Sequence, residues 1–452
     1  MVAANRSNHE KRSSQRVIFP FPVYLSNGGI GETVNISETG LCVGLERDVS
    51  NSKVLSLEIE FPFAEKRIRA FGEKIWESVS KKGDRHLLGL RIINPKPDYI
   101  AKIQEAGKNK FIINNKIVSL TNEIRTYLLT IKMKCDEFDL SAPSEKQQEV
   151  YIVNIQKRIY AALTKYIKNL YKIFPTFNKE EYQIHRKYCQ VMLRNVFIDN
   201  VEVNRHVLRK PLDYAGDFML INYYYDFHDK HLGSTTFEKL INHYSLNLFI
   251  SKSVVRRKEF FKKKIQEVIL AKDQAKILSV GSGSARELTE LLNEGRINKD
   301  FWFDCLDFER ESIKGVQKDL AAVEENKKRH LKIMYINKSL IEVVKENNFD
   351  FGKKYDFIYS SGLFDYLKDR IASKMIHNLY SLLKEGGELI VTNAGAEVTS
   401  EQMYYGMLGE WDLIYRKPAD LLKWAKNFDG AKEISIIDTG TRNSFLFFRI
   451  RK

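Results

Sequence analysis

The stretch "ILSVGSGSARELTELL", Ile277 to Leu292, runs from an apolar strand through a turn with two glycines into a segment of helical periodicity. Gly281 and Gly283 let the turn bring its backbone close to a ligand, and the helix N-terminus that follows adds amides beside it. The next apolar run, "FWFDCLD", ends at Asp307, where an acidic side chain is placed to accept both hydroxyls of a ribose. A pyrophosphate site of the G-x-G-x-x-G type needs glycine where this chain has Arg286, which argues against a dinucleotide. Around this stretch, "AKILSV", "FWFDCLD", "KIMYIN", "YDFIYSS" and "GELIVTN" alternate with helical segments such as "ARELTELLNEG" and "IASKMIHNLYSLLKEGG". That order predicts a Rossmann-like, doubly wound α/β domain over residues 271–452, with "EISIIDTG" and "SFLFFRI" as a hairpin on the sheet edge.

Upstream the periodicity changes twice. Residues 106–270 carry apolar positions at helical spacing, as in "TNEIRTYLLTIKM" and "VYIVNIQKRIYAALTKYIKNLYKIF", and Pro143 and Pro175 mark breaks. Residues 10–105 read instead as short alternating strands, among them "KVLSLEIEF", "RIRAFGEKIW" and "HLLGLRI", separated by "SETG" and "KKGD". Strands of that length and spacing predict a small antiparallel β-barrel. Three parts, α+β and α/β, suit a chain of 452 residues.

Composition narrows the class. Hydrophobic residues make up 43% and charged residues 29%, which fits a globular protein. The polar first fifteen residues and the lack of long apolar runs predict a cytoplasmic protein without a membrane span. The four cysteines are scattered, without C-x-x-C spacing or histidine clusters, so neither a disulfide framework nor a metal site is expected. Residues 111–270 hold most of the net charge of +15, including "RRKEFFKKK" (Arg256–Lys264). A helix with a basic outer face explains that run better than a nucleic-acid stripe.

The series "ILSVGSGSA", "CLDFE", "YDFIYSSGLFDYL" and "LLKEGGELIVTN" resembles class I S-adenosylmethionine methyltransferases. Ser279 stands where that family usually has an acid, and Ala285 where it has a third glycine. "RKPLDYAGDFMLINYYYD" (Arg209–Asp226), "SSGLFDYLKDR" and "EWDLIYRKPADL" resemble one bacterial group of these enzymes, which includes those assigned to 3-hydroxypalmitic acid methyl ester biosynthesis. The resemblance implies that Gly281, Ser282, Gly283 and Asp307 hold the cofactor and that Ser361 and Gly362 face its sulfonium. Tyr214, Asp217, Asp365 and Tyr366 are the candidates for closing the site or touching the acceptor. Asp217 has a second reading as the N-cap of "FMLINYYY", and the two tyrosines as core aromatics. Trp411 and Arg416 are assigned to packing or an ion pair. A carboxylate acceptor needs no general base; an amine or hydroxyl needs one.

At the other end, "KRSSQRVIFP" carries Arg12 and Arg16, and "GETVNISETGLCVGL" carries Asn35, Ser37 and Gly40 in an N-x-S-x-x-G pattern. The two in this order, before alternating strands, resemble the PilZ domain, a small barrel that binds cyclic di-GMP. Arginine suits that ligand, because its planar fork can bind guanine O6 and N7, bind phosphate, or stack on a base. Arg12, Arg16, Asn35, Ser37 and Gly40 are therefore the expected cyclic di-GMP residues. The combination implies a cyclic di-GMP-responsive methyltransferase acting on a small molecule, such as a fatty acid. A non-catalytic effector that binds a partner protein or a metabolite is the alternative that Ser279 and Ala285 keep open. An RNA methyltransferase ranks last, because no RNA-binding module is visible.

Overall fold

The computed structural model describes residues 16–17, 19–26, 30–45, 52–61, 67–79, 86–108, 113–345, 352–397, 399–425, 428, 430–439 and 444–452. Arg12 lies outside them. The chain divides into two compact units, one of residues 1–129 and 172–196, the other of residues 130–171 and 197–452.

The first unit is built on β1 (Pro22–Leu25), β2 (Ile30–Ile36), β3 (Gly40–Leu45), β4 (Val54–Ile59), β5 (Ile68–Val79) and β6 (His86–Ile92). These close into an antiparallel barrel in the order β1-β2-β3-β6-β5-β4, as the strand alternation predicts. In β4, Leu55, Leu57 and Ile59 turn inward while Ser56 and Glu58 stay half-exposed. Phe19, Phe21 and Phe61 fill the barrel with ring centroids 4.8 Å apart in sequence. The buried Thr33 hydroxyl donates to the Phe19 carbonyl (2.5 Å) and accepts from the Phe21 amide (3.0 Å), fixing the entering chain. Helix α1 (Pro97–Lys108) buries Tyr99, Ile103 and Ala106, and the Tyr99 hydroxyl donates to the Ser37 carbonyl at 2.7 Å.

The expected helical middle is present, and it is divided between the units. Helix α2 (Asn115–Asp139) buries Ile117, Thr121, Ile124, Leu128, Ile131 and Cys135, a stripe at alternating spacings of three and four. Helix α3 is Glu145–Ile173, and each of these two long helices has residues in both units. Helix α4 (Lys179–Leu193) starts at a capping box of Asn178 and Glu181 and belongs to the first unit. There Glu60, just past β4, collects the Tyr24 hydroxyl (3.1 Å), Arg194 (3.0 Å) and Lys187 (3.2 Å). Burial raises the Glu60 pKa, but the charges of Lys187 and Arg194 outweigh it and hold the carboxylate below its ordinary value.

The second unit continues with α5 (Glu202–Arg209), α6 (Phe218–Phe227), α7 (Thr236–Leu246) and α8 (Phe249–Ala271). Its strands are β7 (Ala275–Val280), β8 (Phe301–Asp307), β9 (Lys332–Asn337), β10 (Tyr355–Ser360), β11 (Leu383–Ala394), β12 (Glu433–Ile437) and β13 (Phe445–Arg451). They form one sheet in the order β12-β13-β11-β10-β7-β8-β9. β9, β8, β7, β10 and β11 run parallel, and β13 lies antiparallel between β11 and β12. α9 (Arg286–Asn293), α10 (Arg310–Lys327), α11 (Leu340–Lys345) and α12 (Asp369–Ser381) connect the parallel strands, and α13 (Thr399–Gly409) and α14 (Pro418–Leu422) follow β11. β7 and β10 are neighbours whose following helices lead to opposite halves of the sheet, so a crevice opens beyond their C-terminal ends. No described helix is long and apolar enough to cross a membrane.

The basic run of α8 is largely paired within the protein. Lys258 meets Glu290 (2.5 Å), Lys262 meets Glu294 (2.9 Å), and Lys264 meets Glu388 (2.7 Å).

Glu60→Gln is expected to destabilise the first unit by about 2 kcal/mol at neutral pH, because it leaves two partly buried cations without their carboxylate. A depressed folded pKa gives stability that is present above the unfolded carboxylate value, ~4.3, and lost as pH falls through the folded one. Denaturation of both proteins as a function of pH should show the difference narrowing below about pH 4.

Candidate functional site

The crevice of the second unit holds a cavity of about 360 Å³. Volumes of roughly 300–1,000 Å³ are usual for small-molecule sites. Its floor is the turn after β7. Gly281 and Ser282 donate their amides to the Leu306 carbonyl (2.8 and 3.2 Å), which pins the turn to the end of β8. Gly281 (φ +66°) and Gly283 (φ +52°) occupy the left-handed region that the sequence pattern implies. Ala285 shares it at φ +42°, a conformation that disfavours a side chain and that the family's usual glycine would adopt freely.

Asp307 is 4% exposed. Its carboxylate accepts the amides of Gly283 and Glu309, both at 2.8 Å. Burial pushes its pKa up to about 6 against the pull of those two amides. Ser361 and Gly362 line the cavity from the end of β10, and Gly362 (φ +97°) donates its amide to the Thr392 hydroxyl at 3.1 Å. All six residues expected at the cofactor thus border one cavity.

The four acceptor-side candidates separate. Tyr214, Asp365 and Tyr366 line the cavity, while Asp217 is not among its lining residues. Asp217 is fully buried, caps α6 by accepting the Leu220 amide at 2.9 Å, and takes His206 Nε2 on both oxygens at 2.8 and 2.9 Å. Tyr366 is 37% exposed at the rim, and its hydroxyl accepts from Trp411 Nε1 at 2.7 Å. Gly216, between Tyr214 and Asp217, explains the small residue in "YAGD". A Cβ there would lie 2.1 Å from the Tyr366 hydroxyl and 2.7 Å from the Trp411 ring. Asp365 accepts the Ala394 amide at 2.5 Å, and its other oxygen lies 3.9 Å from Arg257. Burial lifts its pKa to about 6 in spite of Arg257.

Two charged lining residues were not among the expected ones. Arg257 of α8 and Glu287 of α9 are both buried. Glu287 accepts the Tyr359 hydroxyl at 2.5 Å, and Ser279, at the position that usually holds an acid, lines the same cavity. The carboxylate missing from β7 is thus present nearby on α9.

On the barrel, Val17 and Ile36 exchange backbone hydrogen bonds (2.8 and 2.9 Å), which seats Arg16 beside Ser37. Ser37 closes the turn to Gly40, its amide donating to the Gly40 carbonyl at 2.7 Å and its hydroxyl accepting the Gly40 amide at 3.2 Å. Asn35 pairs with Cys42, Cys42 with Gly89, and Gly89 with Trp76, one row across four strands. Burial raises the Cys42 thiol pKa, and the charge of Arg16 works against it, so the arginine belongs to this surface. Trp76, 46% exposed, lies flat on Gly89, where a Cβ would sit 2.1 Å from the indole. Arg16, Asn35, Ser37 and Gly40 therefore come together, with an exposed indole on the same row.

Residues 10–106 match the PilZ domain family, and residues 255–434 match a methyltransferase domain family. The chain thus carries a PilZ domain and a methyltransferase domain. Among curated proteins no relative matches. Similar solved structures include a possible exported protein from Bordetella parapertussis (14% identity, 69% of this chain and 98% of that one, TM-score 0.44). Others are magnesium protoporphyrin IX methyltransferase from Synechocystis PCC 6803 (16%, 45% and 87%, TM-score 0.34) and N-methyltransferase NodS from Bradyrhizobium japonicum WM9 (12%, 44% and 97%, TM-score 0.30).

Gly216→Ala is expected to cost about 1–3 kcal/mol by forcing Tyr366 and Trp411 apart. Thermal denaturation should show the lower midpoint, and tryptophan emission should shift as the indole loses its hydroxyl partner.

Proposed function

From a chain with these two domains, we propose that it is a cyclic di-GMP-responsive, S-adenosylmethionine-dependent methyltransferase whose acceptor is a carboxylate such as a fatty acid. The observation that carries the methyl-transfer reading is the convergence of Gly281–Gly283, Asp307 and Ser361–Gly362 on one cavity at the sheet's switch point. Bound there, S-adenosylmethionine supplies an electrophilic methyl group. The residues fit it: the glycine turn allows close backbone approach, Asp307 offers buried carboxylate oxygens to ribose hydroxyls, and aromatic walls exclude water. Ser361 and Gly362, lining the cavity at the end of β10, would border the path of an acceptor approaching in line.

Phe218, Ile221, Val254, Leu413 and Phe445 give the cavity an apolar wall that suits an acyl chain, and no histidine or lysine among the described residues lines it. A carboxylate acceptor is ionised without help and would need no general base from the wall. In the barrel, Arg16, together with Arg12, would bind guanine edges and phosphates, while Asn35, Ser37 and Gly40 would present short polar and backbone contacts. Helices α2 and α3, each with residues in both units, are the continuous elements through which ligand binding on the barrel would alter acceptor access.

Two calorimetric experiments test this. Wild-type protein is expected to bind cyclic di-GMP, and the Arg12→Ala/Arg16→Ala variant to bind it about 100-fold more weakly, since each bidentate guanine contact is worth about 1–3 kcal/mol. S-adenosylhomocysteine binding should be intact in that variant. Ribose hydroxyls donate to ionised Asp307, so affinity for S-adenosylhomocysteine should fall as pH drops through about 6. Asp307→Asn should bind more weakly at neutral pH and lose that step. Binding of cyclic di-GMP without any binding of S-adenosylhomocysteine would favour the non-catalytic effector.

A further inference from the structure

Arg257 is 4% exposed, yet among the described residues its guanidinium donates no hydrogen bond, and Nε is buried without a partner. Its nearest carboxylate oxygen, Asp365 Oδ2, lies 3.9 Å away, beyond hydrogen-bond reach. The group packs over the Phe445 ring, 4.3 Å from the centroid. Arg416 shows what a buried arginine in this domain looks like when it is structural. It is 3% exposed and donates to Asp369 (2.8 Å), Asn393 (2.6 Å) and the carbonyls of Phe364 (3.0 Å) and Leu367 (2.5 Å).

A guanidinium cannot shed its proton at any relevant pH, so burying one whose Nε has no partner and whose nearest carboxylate stands beyond hydrogen-bond reach is costly unless a ligand completes it. Arg257 lines the cavity, and its fork lies against the bare Gly362, where a Cβ would crowd Nη1 and Nη2 at 3.1 Å. The planar fork matches a carboxylate in two-point contact. On the reading proposed above, we infer that Arg257 anchors a ligand carboxylate in this cavity. Glu287 places a buried group of opposite sign in the same wall, and the two together suit the zwitterionic amino-acid end of the cofactor. The acceptor's carboxylate is the other source with the same chemistry.

Titration calorimetry on the full chain, with Arg257→Gln and Arg257→Lys, separates these sources. The probes are S-adenosylhomocysteine, 5′-methylthioadenosine, which lacks the amino-acid end, and decanoate in the presence of S-adenosylhomocysteine. A loss of tenfold or more for S-adenosylhomocysteine, with 5′-methylthioadenosine unchanged, supports the cofactor's carboxylate. The same loss for decanoate alone supports the acceptor's. In either case Arg257→Lys should fall between wild type and Arg257→Gln. The ligand-free Arg257→Gln protein should melt close to wild type, because the guanidinium makes no hydrogen bond among the described residues that the substitution breaks. Unchanged binding of both carboxylate ligands overturns the inference while leaving the methyltransferase reading intact. An equal loss for 5′-methylthioadenosine, or a much lower melting temperature, assigns Arg257 to structure and also overturns it. Wild-type protein that binds neither S-adenosylhomocysteine nor 5′-methylthioadenosine overturns the reading beneath it.

Discussion

The turn after β7 is held by its neighbour strand rather than by its own residues. Two amides of Gly281–Ser282 share the Leu306 carbonyl, and the Gly283 amide is taken by Asp307 one residue later. One strand end thus fixes both the glycine backbone and Asp307, the acid proposed to meet a ribose. The arrangement depends on β7 and β8 being parallel neighbours in register, which in turn depends on their burial between helices. The amides that hold Asp307 pull its pKa down, but burial outweighs them and lifts it to about 6.

Charge in this protein is better understood by partner than by total. The sequence reads the basic run of α8 as one face of a helix, and in the structure Lys258, Lys262 and Lys264 are engaged by Glu290 of α9, Glu294 just past it and Glu388 of β11. Arg257, near the start of the same run, is buried, and among the described residues it makes no hydrogen bond to a carboxylate; Asp365 stands 3.9 Å away. A net charge therefore says little about nucleic acid here, while one buried cation without a hydrogen-bond partner among the described residues is the feature that points to a cavity ligand.

Most of the fold was legible because periodicity is a local property. Strand alternation in the first hundred residues and the strand–helix order after residue 271 both survive in the structure. The division of α2 and α3 between units was not legible, since a heptad stripe shows that a helix is buried without showing against what. Glycine positions carried much of the site: Gly281 and Gly283 stand at positive φ. The role of Gly216 needed the structure, because it answers to Tyr366 and Trp411, far away in sequence. Asp217 carried both a functional and a capping reading, and it makes the capping contact. Arg257 had a faint signal, a charged residue on the apolar stripe of Ile250, Val254, Phe261, Ile265 and Ile269, masked by the basic residues beside it.

The measurement that bears most directly on a regulated methyltransferase is the affinity of the full chain for S-adenosylhomocysteine with and without saturating cyclic di-GMP, paired with the reverse titration. A coupled protein is expected to show a change in affinity in the first titration and the same factor in the second, as linkage requires. If both ligands bind, neither affinity responds to the other ligand, and methyl-transfer turnover is also unchanged by cyclic di-GMP, the two domains act independently and the regulatory account is contradicted.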